Sequence, residues 1–247
     1  MLIKIPGKLM LAGEYAVTKK NNLSIVMAIN KFIYKNHSEL INENGVKYGL
    51  GSSGAYAVLQ TKIKYPELND DQLFQEALKF SRQSQPLNSG ADIAASIYTG
   101  TLIYTKDNYP IQLKIPEKWQ LLVGWTKRPS ITSELVAKMS LQEDFTNKSN
   151  QYTRKLVEAI RTSNFNSFNS IIKELEDNLE TLSGILTDEI KLAIKITQQF
   201  GINSKISGSG GGDNVIAFVN NNEIALKIKN EWKNNNIEPL DIKIYTK

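Results

Sequence analysis

Apolar residues in the first third of the chain fall in short runs that turn residues interrupt. The segment "LIKIPGKLMLAGEYAVTKK" holds two such runs, broken at Pro6-Gly7 and at Gly13-Glu14, and "SIVMAINKFIYKN" follows with β-branched and aromatic residues. Short runs of this composition, bounded by glycine and proline, are typical of β-strands. We therefore predict strands here, with the chain bending after a strand at Pro6-Gly7.

The middle of the chain alternates helix-like and strand-like segments. The segment "AYAVLQTKIKY" follows directly on a glycine-rich stretch, and "NDDQLFQEALKFSRQ" begins with polar capping residues and places Leu73, Ala77 and Phe80 at helical spacing. Both segments are predicted to be helices. The segment "SGADIAASIYTGTLIYT" is predicted to be a short helix that runs into a strand, and "WQLLVGWT" is predicted to be a buried strand.

Helical periodicity dominates the rest of the chain. One apolar stripe runs through Phe165, Phe168, Ile172, Leu175, Leu179 and Leu182, and a second runs through Ile190, Ile194 and Thr197. The segment "NVIAFV" is predicted to be a strand, "NEIALKIKNEWKNN" a helix and "LDIKIYT" a closing strand. Strands and helices mixed in this order predict an α+β protein. The linker-like "YPIQLKIPEK" predicts a boundary near Pro116, between an N-terminal domain of residues 1–116 and a C-terminal domain of residues 117–247.

The composition excludes several kinds of protein. The chain has 247 residues, of which 41% are hydrophobic and 22% charged, as in an ordinary globular protein, and it has no cysteine for disulfides or thiolate metal sites. The single histidine, His37, excludes a histidine metal cluster, and its polar neighbours predict a solvated loop. The net charge of +5 suits nucleic acid or a small anionic substrate, but the lysines are scattered among acidic residues, so we expect no nucleic-acid partner.

The N-terminal apolar stretch is not expected to be a targeting signal or a membrane anchor. Lys4, Lys8 and Glu14 lie inside it, which does not fit a signal peptide. No run approaches the roughly 20 apolar residues of a membrane span. We therefore expect a cytoplasmic protein without a membrane partner.

The stretch "YGLGSSGAY", residues 48–56, is the first candidate for chemistry. Gly49 and Gly51 can adopt positive φ and carry no side chain, so successive backbone N–H groups can converge on one anion. A helix that begins near Ser53 would direct the positive end of its dipole to the same place, and the Ser52 and Ser53 hydroxyls could bind phosphate or Mg²⁺. The chain contains no Walker A sequence. On its own, the stretch is also compatible with a tight turn that caps a helix.

Three further features have the same chemical character. The segment "SGSGGGD" (Ser207–Asp213) contains four glycines between two strand-like segments, which favours close backbone approach to a ligand over a flexible surface loop. Lys8 follows Pro6-Gly7 and could neutralise phosphate charge, although a lone lysine is more often solvated at a strand edge. Asp92 lies among small residues in "NSGADIA", either as a helix cap or as a group that accepts a proton or orients an acceptor.

Taken in order, four segments resemble the motifs of the GHMP small-molecule kinases, the family of galactokinase, homoserine kinase, mevalonate kinase and phosphomevalonate kinase. These segments are "PGKLMLAGEYAV", "KYGLGSSGA", "SGADIAASIYTG" and "KISGSGGGDNVIAF", and the resemblance covers nearly the whole chain. Glu14-Tyr15 stands where mevalonate kinases typically have a histidine after the glutamate. This pair, Lys47-Tyr48 before the glycine loop, "VGWTKRPSIT" and the "GGGD" ending are similar to the bacterial phosphomevalonate kinases.

The resemblance implies a fold and a reaction. The GHMP kinase fold has an N-terminal domain like the second domain of ribosomal protein S5 and a ferredoxin-like C-terminal domain, with the active site between them. The implied reaction is ATP-dependent transfer of the γ-phosphoryl group to the phosphate of (R)-5-phosphomevalonate, giving diphosphomevalonate for isoprenoid precursor synthesis, with ATP and Mg²⁺ as cofactors. The alternatives are a mevalonate kinase or another GHMP kinase and, in a different class, a non-catalytic protein that binds a phosphorylated metabolite. The small-molecule substrate would be the partner of a monomer or homodimer.

By motif match, the resemblance assigns a role to each candidate residue. The ATP phosphates would be held by Gly49, Leu50, Gly51, Ser52, Ser53 and Gly54. Ser53 would also lie near Mg²⁺, and Lys8 would bridge the transferred phosphoryl group and the acceptor. Asp92 would position Lys8, because an acceptor phosphate is already largely ionised near neutral pH and needs no strong base. The acceptor would be bound by Lys8, Glu14, Tyr15, Ser89, Gly90, Ser207, Gly208, Ser209 and Gly210.

Two segments are shorter than the family pattern. Only "HSELINENGV" separates "FIYKN" from the glycine loop, where the family has several tens of residues that contribute to nucleotide-base binding. The stretch between "TLIYT" and "WQLLVGW" is also short. These differences affect the adenine pocket and leave the four phosphate-handling motifs unchanged.

Overall fold

The computed structural model describes residues 3–106, 108–130 and 142–247. Within these ranges the chain forms two antiparallel four-stranded sheets and seven α-helices, which confirms the α+β prediction. The first sheet has the spatial order β1 (Lys4–Ala12), β2 (Leu23–Tyr34), β3 (Thr101–Thr105) and β4 (Ile111–Gln112). The second sheet has the order β6 (Ser204–Ser207), β7 (Asn214–Val219), β5 (Gln120–Trp125) and β8 (Glu238–Leu240).

Six of the seven described helices follow predicted segments, and the seventh, Glu143–Arg161, lies in a stretch for which no particular element was predicted. The helices are α1 (Ser52–Lys64), α2 (Asp70–Ser84), α3 (Ala91–Tyr98), α4 (Glu143–Arg161), α5 (Phe165–Leu179), α6 (Asp188–Gln198) and α7 (Asn222–Asn234). The polar residue before α2 caps it as predicted: the Asn69 side chain accepts from the Gln72 N–H, and the Gln72 side chain accepts from the Asn69 N–H. Leu182, assigned to the stripe of α5, lies beyond the end of that helix. None of the described helices is long and apolar enough to cross a membrane.

Helices α1 and α3 pack on β1 and bring the first glycine-rich loop to that strand. The buried face of α1 consists largely of small residues, including Gly54, Ala55 and Ala57, so the helix can lie close to the sheet. At its N-terminus the Leu50 carbonyl accepts a hydrogen bond of 2.8 Å from the Lys8 N–H. The fold thereby fixes the loop before α1 against the middle of β1.

The second sheet is covered by α5, α6 and α7. Trp232 of α7 is fully buried, and its indole N–H donates to the Ala193 carbonyl at 3.0 Å, which ties α7 to α6. Burial of a large side chain stabilises a fold by about 1.5–3 kcal/mol. The second glycine-rich segment joins β6 to β7, so this packed layer holds both of its ends.

The two sheets share part of their core. One hydrophobic cluster contains Leu9 of the first sheet together with Val123 and Phe218 of the second. The boundary predicted near Pro116 lies in the segment between β4 and β5. The division into domains 1–116 and 117–247 stays a prediction.

Two predicted elements are corrected. Pro6-Gly7 does not end a strand, because β1 continues to Ala12 with a shift of register between Pro6 and Lys8. Since β1 is an edge strand, a proline that lacks an N–H is tolerated there. The segment "LDIKIYT" is not one regular strand: pairing in the second sheet stops at Leu240, and the chain then crosses to the first sheet, where Ile244 forms an isolated bridge with Ile29.

Candidate active site

The first glycine loop has the backbone conformation predicted from its glycines. Gly49 and Gly51 have φ of 73° and 78°, in the left-handed region that glycine tolerates best. Gly51 is the N-cap of α1, and no side chain caps this helix end among the described residues. The first N–H groups of α1 therefore lack a capping side chain, and the helix dipole adds to their affinity for an anion. Ser52 is half-buried, and Ser53 is exposed.

Lys8 lies across this loop. A Cβ placed at Gly51 would come within 2.6 Å of the Lys8 Cγ, so the lysine stem occupies the space that a side chain at Gly51 would need. The Lys8 side chain is half-buried, and its backbone is fixed by the bond to Leu50. The structure therefore places the predicted lysine directly on the predicted phosphate loop, not at a solvated strand edge.

Asp92 reaches the same loop from the first turn of α3. A Cβ at Gly54 would come within 2.3 Å of the Asp92 Oδ2. The other carboxylate oxygen, Oδ1, accepts from the Ile93 N–H at 2.9 Å, which orients the group. The residues just before the helix support this position, because the Ser89 carbonyl accepts from the Tyr104 hydroxyl at 2.7 Å and Gly90 has a φ of 91°.

The second glycine loop is anchored at both ends, as predicted. Ser207 is buried, and its Oγ accepts from the Met10 N–H at 2.9 Å, which joins β6 to β1. The Tyr15 hydroxyl donates to the Ser209 carbonyl. Burial, together with the charge of Glu14, raises the pKa of Tyr15, so its hydroxyl stays protonated and donates. On the other side, the Ser209 Oγ lies 2.9 Å from the Ser130 Oγ.

Close approach of backbone accounts for two of the glycines in this loop. A Cβ at Gly210 would lie 2.6 Å from the Ile185 Cβ, and one at Gly212 would lie 2.2 Å from the Arg128 carbonyl oxygen. A Cβ at Gly208 would meet nothing within 4 Å, and Gly208 has a φ of 106°. The loop thus packs against its neighbours at its C-terminal end and has open space at Gly208.

Glu14 is placed differently from the other predicted acceptor residues. Its side chain is only 4% exposed, and its Oε1 lies 2.5 Å from the Nζ of Lys205, which is fully buried. The carboxylate therefore lies beneath the second glycine loop in an ion pair. Direct contact between Glu14 and an acceptor stays a prediction.

Asp213 is a site residue to which the sequence pattern assigned no role. A Cβ at Gly49 would lie 2.4 Å from the Asp213 Cγ, so this carboxylate covers the first glycine loop from the second. Its Oδ1 accepts from the Ser130 N–H at 3.2 Å. Burial raises the pKa of Asp213, while the Ser130 N–H and the charges of Lys8 and Lys47 act in the opposite direction. The "GGGD" ending was the available signal, but only the folded chain shows that it meets Gly49.

The segment that precedes the first loop is fixed to the second sheet. The Tyr48 carbonyl accepts from the Asn214 Nδ2 at 2.6 Å, and the Tyr48 ring meets the Trp125 ring edge-on with centroids 4.7 Å apart. Trp125 and the residues up to Ser130 belong to "VGWTKRPSIT", of which Ile131 and Thr132 lie outside the described residues. His37, by contrast, is exposed and stacks on Tyr34 away from these contacts, as predicted for a solvated residue.

A large open groove of the described chain lies elsewhere. It has a volume of about 710 Å³ and is lined mainly by residues 112–121 and 240–246, none of which is a candidate site residue. A smaller groove of about 290 Å³ between α1 and α2 includes Ser53. The predicted phosphate ligands are backbone N–H groups and charged side chains, so the candidate site lies at the two glycine loops and not in the larger groove.

Comparison with known proteins agrees with this architecture. Residues 156–238 match the family described as GHMP kinases C terminal. The phosphomevalonate kinase of Streptomyces sp. (strain CL190) is 25% identical over 249 residues, which cover 83% of this chain and 66% of that protein, so the chain spans slightly less than two thirds of its relative.

Two solved structures share the fold over the whole chain. The Lin0012 protein of Listeria innocua has a TM-score of 0.88 and 25% identity, with 100% of this chain and 99% of that chain covered. The Streptococcus pneumoniae phosphomevalonate kinase, in complex with phosphomevalonate and AMPPNP, has a TM-score of 0.88 and 20% identity, with 99% and 100% covered.

These findings confirm the resemblance: the chain has the GHMP kinase fold, and its residues 156–238 match the family described as GHMP kinases C terminal. The similar proteins whose names state an activity include phosphomevalonate kinases, mevalonate kinases and a galactokinase.

Proposed function

We propose that this protein is an ATP-dependent kinase that transfers the γ-phosphoryl group of ATP to the phosphate of (R)-5-phosphomevalonate. One observation carries the proposal: three charged side chains each cover one glycine of a single loop, Asp213 at Gly49, Lys8 at Gly51 and Asp92 at Gly54. A tight turn that only caps a helix has no need of such a constellation. A loop whose N–H groups bind the phosphates of ATP next to charged catalytic groups does need it.

The reaction can be written with the residues in place. An oxygen of the acceptor phosphate attacks the γ-phosphorus, the bond from that phosphorus to the β–γ bridging oxygen breaks, and ADP leaves with the electron pair. The N–H groups of residues 49–54 and the start of α1 hold the ATP phosphates. The Lys8 ammonium lies over this loop and stabilises the charge on the transferred group, which is the main catalytic contribution in phosphoryl transfer.

No strong base is required for this acceptor. A phosphate monoester has a second pKa of about 6, so its attacking oxygen is already ionised at neutral pH. We assign to Asp92 the positioning of Lys8, because the two side chains approach neighbouring glycines, Gly54 and Gly51. A phosphate acceptor differs in this respect from a hydroxyl acceptor such as mevalonate, whose hydroxyl would have to lose a proton during the reaction.

The second glycine loop favours a phosphate acceptor. Gly208 and Gly210 have φ of 106° and 66°, and a backbone of this kind can direct N–H groups to one side as an anion-binding concavity, whereas the Gly211 N–H donates to the Ile185 carbonyl at 2.6 Å. The loop is held to β1 through Ser207, close to Lys8 along the same strand. Two glycine loops held to the strand of one lysine suit two phosphorylated reactants.

Mg²⁺ fits the residues present. Among the described residues no cluster of three acidic or histidine side chains could hold a metal, and Ser53 offers an exposed hydroxyl that accepts from the Gln85 Nε2 at 3.2 Å. Mg²⁺ in nucleotide sites is usually held by one or two protein oxygens together with waters and substrate phosphates. When bound, the ion would neutralise phosphate charge, with Ser53 as its protein ligand. We further propose that the enzyme acts in the cytoplasm, as a monomer or homodimer.

The acceptor is tested by measuring ADP release with ATP, Mg²⁺ and either phosphomevalonate or mevalonate. We expect kcat/KM for phosphomevalonate to exceed that for mevalonate at least about 100-fold, because the second loop would be left without an anion. A preference for mevalonate would assign the alternative kinase activity. Turnover of neither compound, with phosphomevalonate binding retained in calorimetry, would point to a non-catalytic binding protein.

Asp92→Asn tests the positioning role. We expect kcat to fall about 10- to 100-fold, with the Kd of ATP changed less than about threefold, since the amide keeps the size of the side chain but loses its attraction for Lys8. The matched control is Asp241→Asn, an exposed residue remote from both loops. A loss of ATP affinity with unchanged kcat would contradict the positioning role.

A further inference from the structure

A buried ionic cluster lies beneath the second glycine loop. Its members are Glu14, Glu176 and Lys205, which are 4%, 3% and 0% exposed. Glu14 follows β1, Glu176 belongs to α5 and Lys205 belongs to β6, so the cluster joins one segment of the first half of the chain to two elements of the second. Glu14 is a predicted acceptor residue, whereas Glu176 and Lys205 have no role in the phosphoryl transfer described above.

Lys205 connects the other two groups to the backbone of β6. Its Nζ donates to the Glu14 Oε1 at 2.5 Å and to the carbonyl of Ile206. The N–H of the same Ile206 donates to the Glu176 Oε2 at 2.8 Å. The backbone N–H and the backbone carbonyl of Ile206 are therefore both bonded to this cluster. The next residue, Ser207, begins the loop.

Burying such a cluster in the core carries a large desolvation cost. Removing charges from water costs several kcal/mol per ion, and apolar side chains of similar volume often give equal or greater stability. A buried ionic group is better explained by the one geometry that it imposes. The geometry imposed here is the position of Ser207 and of the glycines that follow it, relative to the segment of Glu14 and Tyr15.

We propose that Lys205 is a positioning residue of the acceptor site, which fixes the Ser207–Gly212 loop against the first half of the chain through Glu14 and the Ile206 carbonyl. Tyr15, next to Glu14, holds the same loop through the Ser209 carbonyl, so the two contacts act on one segment. The kinetic consequence rests on the proposed function, since it requires that this loop bind the acceptor. The contacts that Lys205 and Tyr15 make with the loop do not depend on that function.

The contact is tested without substrate, by hydrogen exchange of the Gly211 and Asp213 amides, which donate to the Ile185 and Arg128 carbonyls. Lys205→Met leaves Glu14 buried without a partner and risks unfolding, so the decisive variant is the double change Lys205→Met with Glu14→Gln, which removes both charges. We expect these loop amides to exchange at least about tenfold faster than in the unaltered protein, while the amides of β7 keep their protection. The control is Lys195→Met, an exposed lysine of α6. Unchanged loop exchange in the folded double variant would overturn the proposal.

Steady-state kinetics then separate this proposal from the proposed function. We expect the double variant to raise the KM for phosphomevalonate at least about tenfold, with the KM for ATP changed less than about threefold. Faster loop exchange in a protein that lacks kinase activity altogether would reject the function and keep the contact. Equal effects on the two KM values would show a general loosening of the fold and reject the assignment to the acceptor site.

Discussion

Lys8→Met is expected to lower kcat about 1,000-fold or more while the protein stays folded. In the proposed reaction the Lys8 ammonium would stabilise the charge on the oxygens of the transferred phosphoryl group, and loss of one such preorganised group costs several kcal/mol of transition-state stabilisation. Methionine keeps an unbranched stem that can still cover Gly51, so the packing of the loop is preserved. The strand also keeps its bond from the Lys8 N–H to the Leu50 carbonyl.

The measurement is kcat from ADP release, together with the thermal unfolding midpoint. Lys118→Met, a change of an exposed lysine in the segment between the two sheets, is the matched control for loss of one positive charge. Turnover of Lys8→Met within about threefold of the unaltered enzyme would exclude the role assigned to Lys8. A loss of activity accompanied by a large fall in the unfolding midpoint would instead mark Lys8 as structural.

Local chemistry explains which parts of this site could be predicted from the sequence. The positive φ of Gly49 and Gly51 and the start of α1 follow from the residues of one short stretch, and both are confirmed. The sequence shows that these glycines carry no side chain, but not which groups use the space. That Asp213 covers Gly49 depends on the packing of β7 against the segment of Tyr48, which no local pattern contains.

The burial of Lys205 could not be predicted from its local sequence. A lysine within the strand-like "SKIS" would ordinarily be placed at the surface, yet it is fully buried because Glu14 and Glu176 arrive from two other elements. The bend predicted at Pro6-Gly7 was wrong for a related reason. Its residues are typical of a turn, but β1 is an edge strand that absorbs the proline with a shift of register. In both cases the neighbours in the fold, and not the local residues, decide the outcome.

Glu176→Gln is expected to remove a large part of the pH dependence of stability. Burial raises the pKa of Glu176 to about 7, although Lys205 and the Ile206 N–H lower it, and Glu180 and Glu14 add smaller contributions that raise it. An unfolded glutamate titrates near its ordinary value of about 4.3. Between these two pH values the folded protein binds more protons at this residue than the unfolded chain does. The free energy of unfolding therefore falls as the pH rises from about 4 to 7, by about 3 kcal/mol from this group.

Glutamine cannot ionise, and its side-chain oxygen can still accept from the Ile206 N–H. The free energy of unfolding of the variant should therefore lack the decrease that Glu176 causes as the pH rises. The test is urea unfolding of both proteins from pH 5 to 8, since the difference between them cancels other titrating groups. We expect the stability of Glu176→Gln relative to the unaltered protein to increase by about 2.5 kcal/mol from pH 5 to 8. Glu158→Gln, an exposed change on α4, is the control and should show no such trend. A difference that does not vary with pH would mean that Glu176 is ionised throughout, and that Lys205 compensates for its burial.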